Sequence, residues 1–180
     1  MMSSARSMNL AATIRLGVIA GAAGGLAEIA WVSAYAVATG ADAAALARGV
    51  TIAVGANAML PNATVLAGIA IHMVLAIALG VALAAAWQAL ARRRLGGSNL
   101  FLLVVTALAG VWAMNFLVVL PLLSPAFVHL IPYPVSLVSK LLFGVAAAET
   151  LRLGTLARAS TPAHAEARPV RATWPSNRSR

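Results

Sequence analysis

The sequence predicts an all-α integral membrane four-helix bundle with both termini in the cytoplasm. Three observations carry that prediction. The chain of 180 residues is 62% hydrophobic and only 9% charged, whereas soluble domains carry about 25% charged residues. A soluble fold this apolar would lack the polar groups to cover its own surface. Four stretches each supply the roughly 20 apolar residues that a spanning helix needs. The basic residues gather beside alternate ends of those stretches, as they do in proteins whose Lys and Arg stay on the cytoplasmic side.

The first span is expected over 13–38, closed by Thr39-Gly40-Ala41-Asp42 with Gly40 as the helix C-cap. The second is expected over 64–90. Pro61 and Asn62 precede it, and proline near a helix start loses no hydrogen bond. The third is expected over 100–122, with Ser98 or Asn99 as its cap. Pro121, Pro125, Pro132 and Pro134 break the chain before a fourth span over 134–153. Between the first two spans, ALARGVTIAVGANAML has apolar residues at roughly helical spacing, which predicts a short helix lying in the interface. The membrane domain is thus 13–153. Residues 1–12 form an N-terminal tail, and 154–180 form a basic tail that Pro162, Pro169 and Pro175 keep disordered.

The net charge is +9, from twelve Arg and one Lys against four acidic residues. Arg6 and Arg15 flank the first span, Arg92, Arg93 and Arg94 fill the second connection, and Arg152, Arg158, Arg168, Arg171, Arg178 and Arg180 follow the fourth span. The first connection has only Arg48 and the third has no Arg or Lys. Four spans therefore put the basic segments on one side, and both termini are expected inside. The expected partners are the lipid bilayer, anionic lipid headgroups at the basic segments, and a second copy or a partner membrane protein. No nucleic-acid recognition fold fits in the residues left over.

The absence of cysteine excludes disulfides, thiolate metal sites and cysteine nucleophiles. No Walker loop, GxSxG, HExxH or dinucleotide fingerprint occurs. His72 and His129 are two histidines without supporting ligands, too few to define a haem or metal site. The expectation is a protein that is not an enzyme and carries no cofactor and no metal.

Candidate functional residues are the polar ones inside the spans. On 100° per residue, Gly17, Gly21, Gly24, Gly25, Glu28, Trp31 and Tyr35 fall within a sector of about 120° on the first helix. Gly17, Gly21 and Gly25 make two overlapping GxxxG spacings, which let another helix approach closely. Glu28 is set into that face, and Trp31 and Tyr35 are placed to anchor its outer end. At 1.5 Å per residue, Glu28 lies roughly 15 Å below the outer edge, His72 roughly 12 Å, Asn115 roughly 10 Å and Lys140 roughly 9 Å. Each span thus contributes one polar group at similar depth, which predicts a shared cluster of Glu28, His72, Asn115 and Lys140. An ionised Glu in hydrocarbon costs about 2.5 kcal/mol or more, and Lys140 is the interior cation able to offset it. The cluster reads either as an ion, proton or polar-solute site or as a structural pair with interhelical hydrogen bonds. Glu149, on the side of its helix opposite Lys140 and three residues before Arg152, reads as half of a surface ion pair.

The runs RLGVIAGAAGGLAEIAWVSAYAVATGADAAALARGVT (15–51) and FVHLIPYPVSLVSKLLFGVAAAE (127–149) resemble a group of small uncharacterised bacterial four-span membrane proteins, some labelled sodium:proline symporters. The resemblance implies a multi-pass protein of the bacterial inner membrane. It supplies no binding motif that transfers residue by residue. Secondary transporters are usually built from two multi-span repeats, so four spans would serve transport as an oligomer. The expected function is ion- or proton-coupled small-solute transport through the polar cluster. The alternative is a non-transporting accessory or assembly protein that binds a partner helix through the glycine face.

Overall fold

The computed structural model describes residues 10–62, 64–91 and 97–160. Helix α1 spans Leu10–Thr39, α2 Ala43–Ala53, α3 Thr64–Ala91 and α4 Gly97–Met114. A π-helical segment, Asn115–Val119, carries α4 into α5 (Leu120–Leu123), and the short α6 (Pro125–Val128) leads to α7 (Tyr133–Ser160). No strand occurs among the described residues. Four helical stretches are long and apolar enough to cross a membrane: Leu10–Thr39, Thr64–Ala91, Ser98–Leu123 and Tyr133–Arg158.

The local chemistry accounts for the boundaries. Gly40 takes φ +71°, the left-handed conformation that ends α1. Asp42 caps α2 by accepting from the Ala44 amide at 2.8 Å. Ser98 and Asn99 lie inside the first turn of α4, not before it, because the helix already begins at Gly97. The third span is not one regular helix. Pro121 has no N–H to give the Leu117 carbonyl, and the ladder slips so that the Leu120 amide bonds the Asn115 carbonyl. Helix α7 runs on to Ser160, beyond the expected end of the fourth span at Leu153, so 154–160 are helical where a tail was expected. LRLGTLARAS contains good helix formers and meets no proline before Pro162. The expected N-terminal tail up to residue 9, the Arg92, Arg93 and Arg94 cluster, and the basic tail over 161–180 lie outside the described residues.

Small residues set the packing. A Cβ on Gly17 would come within 2.5 Å of the Val81 Cα, and one on Gly21 within 2.5 Å of the Ala76 carbonyl oxygen. One on Gly80 would run into the backbone of Gly17 and Gly21. These pairs run antiparallel, so α1 and α3 lie backbone to backbone. On another side of α1, Gly24 makes room for the Phe143 ring and Gly154 sits against Leu16, so α7 is also antiparallel to α1. Helix α4 packs on α7, with Gly144 against Val105 and Leu108. The helices thus follow the order α3, α1, α7, α4. At the end holding Leu16, Trp87, Leu100 and Leu151 they share one buried core. At the opposite end α2 and α6 fold over the bundle. There the Thr51 hydroxyl donates to the Thr64 carbonyl at 2.5 Å, and a Cβ on Gly49 would meet Phe127 and Leu130.

Candidate functional site

The α1–α3 and α1–α7 registers converge on Glu28. Along α1, the contacts with α3 pass from Gly17–Val81 to Gly21–Ala76 to Gly25–Met73. One further turn brings Glu28 to His72. Along the other side the contacts pass from Leu16–Gly154 to Gly24–Phe143, and the next turn brings Glu28 to Lys140. Glu28 Oε1 accepts from Lys140 Nζ at 2.7 Å, and Oε2 lies 3.6 Å from His72 Nε2. The Glu28 side chain is 7% exposed, that of Lys140 18% and that of His72 28%. The Lys140 ammonium also stands 5.1 Å from the centre of the Phe143 ring, a distance at which the ring face attracts a cation.

The cluster is only partly satisfied. Glu28 Oε2 and His72 Nε2 are buried and have no hydrogen-bond partner among the described residues. Burying a carboxylate is tolerable when its oxygens are all engaged; here one is engaged and one is not. The three groups border a cavity of about 630 Å³, which also receives Asn115, Ser33, Ser136 and Ser139. The rest of its wall is aliphatic or aromatic, from Val32 on α1, Leu46 and Val50 on α2, Ile69 and Leu79 on α3, and Phe116 and Leu120 on the π segment and α5. Its volume falls within the range of about 300–1,000 Å³ typical of small-molecule sites.

All four residues expected to form the cluster line this one cavity. Lys140 meets Glu28 directly and His72 approaches it, while Asn115, at the start of the π segment, lines the same cavity. The three glycines are also placed as expected on a close helix contact, and the helix they receive is α3 of the same chain. Trp31, expected as an interface anchor, donates its indole N–H to the Val135 carbonyl at 3.0 Å across to α7. Glu149 and Arg152 form a 2.7 Å pair with both side chains over a third exposed. No group of three or more metal-ligating side chains occurs among the described residues.

Two features had readable signals that the glycine face of α1 overshadowed. Gly68, His72, Ala76, Gly80 and Ala84 repeat every four residues, which places His72 on the small-residue face of α3. Pro121, six residues after Asn115, marks the third span as irregular. The Trp112 N–H bonded to the Ser136 hydroxyl at 3.0 Å, and the Gln88 amide bonded to the Thr13 hydroxyl at 2.5 Å, depend on pairing between helices that no spacing reveals.

Fold and site together define a small all-helical bundle with four candidate membrane spans and a cavity that holds a buried, partly unsatisfied ion pair. Comparison with protein-family models, curated proteins and solved structures finds no match.

Proposed function

We propose that the chain is a multi-pass protein of the bacterial inner membrane, with both termini cytoplasmic, that carries a small solute in exchange for or together with a proton. One observation carries this reading. Glu28 is buried beside a cavity with one oxygen on Lys140 and the other facing an unbonded His72 Nε2. A carboxylate kept only to hold helices together gains nothing from an idle oxygen, and intramembrane ionisable groups at cavities commonly serve as proton or substrate sites. The charge bias of the sequence supports the orientation, which puts the cavity in the outer half of the bilayer. The packed core around Trp87, Leu108 and Phe143 then closes the inner half. Four spans make this an oligomeric transporter. The accessory alternative has less support, because α3 occupies the glycine face on which a partner helix would dock.

The test is proton flux in proteoliposomes under an imposed pH gradient, comparing the unaltered protein with Glu28→Gln. The variant is first shown to be folded by helix content and by elution as a single species. Flux in the first that disappears in the second is the expected result. Equal flux in both would overturn the proposal.

A further inference from the structure

We infer that the solute of this cavity is a membrane-dissolved amphiphile with a single uncharged, hydroxyl-bearing head, taken sideways from the outer leaflet between α3 and residues 115–123. The inference rests on the placement of the cavity given above and adds the substrate class and the route.

The route follows from which walls are packed. Over the outward end lies a roof of α2 and α6, with Phe116, Leu120 and Ile131 buried beneath it and Phe127 packed against them. Gly49 of α2 fits so closely under Phe127 and Leu130 that a Cβ would come within 2.8 Å of both side chains. The flank is different. Leu75 on α3 is 58% exposed and Leu123 on α5 is 70% exposed, yet both also line the cavity. Ile69 and Val119 share this double position. Ser33, Ala43 and Val54 are also both exposed and cavity-lining, at the α1–α2 edge, whereas these four mark a mouth between α3 and residues 115–123. All four are aliphatic, so the mouth suits hydrocarbon better than water.

The head follows from the floor. The Glu28 carboxylate and the Lys140 ammonium cancel at 2.7 Å. A charged head would add an uncompensated charge in a low-dielectric site, while a head without hydrogen-bonding capacity would leave Glu28 Oε2 and His72 Nε2 as they stand. A hydroxyl both donates and accepts, so it serves an acceptor-only carboxylate oxygen and an imidazole N–H together after a small side-chain adjustment. Asn115 lines the same cavity and adds a further donor and acceptor.

The experiment is photocrosslinking in proteoliposomes with diazirine-bearing oleyl alcohol, mapped by mass spectrometry. Labels are expected on the cavity wall, above all in 65–79 and 115–123. Unlabelled oleyl alcohol should compete about tenfold better than octadecene, which has the chain without the head. Butanol, the head without the chain, should not compete from the aqueous phase. Leu123→Trp changes an exposed side chain at the mouth, so the fold survives, and cavity labelling should fall several-fold. Labelling spread evenly over the lipid-facing helices, competition by octadecene equal to that by the alcohol, or labelling unchanged in Leu123→Trp would overturn the inference. Glu28-dependent proton flux without alcohol competition would leave the transport proposal standing and remove this one. Competed labelling with flux indifferent to Glu28 would do the reverse.

Discussion

Helix α1 passes through two regions built on the same small-residue face and packed by different rules. From Leu16 to Gly24 it is gripped on both sides, by the α3 backbone at Gly80 and by the Phe143 ring of α7. From Glu28 to Val32 the same face borders a cavity; polar contacts hold it, Glu28 to Lys140 and Trp31 to the Val135 carbonyl, and Val32 packs against the apolar cluster around Phe116. In a bilayer the lipid tails are as apolar as the side chains, so helices associate through close packing and hydrogen bonds. The first region relies on packing and the second on hydrogen bonds and charge. What the difference teaches is that one helix holds both the fixed part of the bundle and the part free to receive a ligand.

The largest expected effect breaks the packed region. Gly80→Leu forces a side chain into the Gly17 and Gly21 backbone, where no flexible atom can yield. Loss of stability of about 5 kcal/mol or more is expected, the rare upper end for single substitutions, seen as failure to recover monodisperse protein from detergent. Gly110→Leu is the control, because nothing lies within 4 Å of a Cβ there. It should be neutral or gain up to about 1 kcal/mol from helix propensity.

In the cavity region, Lys140→Met removes the cation and leaves Glu28 buried and unpaired. A loss of about 3–5 kcal/mol is expected, as when one partner of a buried pair is deleted. Combining it with Glu28→Gln should recover most of that loss, so that thermal unfolding of the four proteins forms a strongly coupled cycle. Additive losses would show that the two groups do not depend on each other, and the contrast between the regions would disappear. A smaller step is Ser136→Ala. The Ser136 hydroxyl accepts from the Trp112 indole N–H and donates to the Tyr133 carbonyl. Its removal strands that N–H at a cost of about 1–3 kcal/mol, to be read as a lower melting temperature with helix content unchanged.

The two regions also differed in how far the sequence announced them. The four long apolar helices were legible because the length of an apolar run is a property of each segment alone, and 64–90 was expected where α3 occupies Thr64–Ala91. The Glu28–Lys140 pair was legible from depth, since few polar groups occur inside the spans and charge has to be offset there. The cavity was not. It arises where the π segment before Pro121 and the covering helices α2 and α6 leave α1 and α3 unfilled, and no local pattern encodes an unfilled volume. The continuation of α7 to Ser160 is not announced by hydropathy, because the apolar run stops near Leu153, although charged residues continue a helix readily once it leaves the apolar region.

The smallest predicted effect concerns the roof, where the polar cavity region meets water. Asp42 divides its oxygens, one accepting from the Ala44 amide at 2.8 Å and the other from Arg48 at 2.6 Å. The Arg48 guanidinium holds the Asp42 carboxyl below its ordinary value, with the Ala45 and Ala44 amides acting in the same direction. A carboxyl depressed in the folded state stabilises it above the unfolded value, about 3.9, and loses that contribution as the pH falls through the lower folded value. Protection of the α2 amides against hydrogen exchange should therefore be flat from pH 8 to 5 and decline only below about pH 4. Asp42→Asn keeps an oxygen for the Ala44 amide and should lose the pH dependence while retaining most of the protection. Asp42→Ala should loosen the first turn of α2 at every pH. A decline already between pH 8 and 5 would mean that a group other than Asp42 governs the roof, and the division between a fixed and a receptive region would then have to be drawn across α2 instead of along α1.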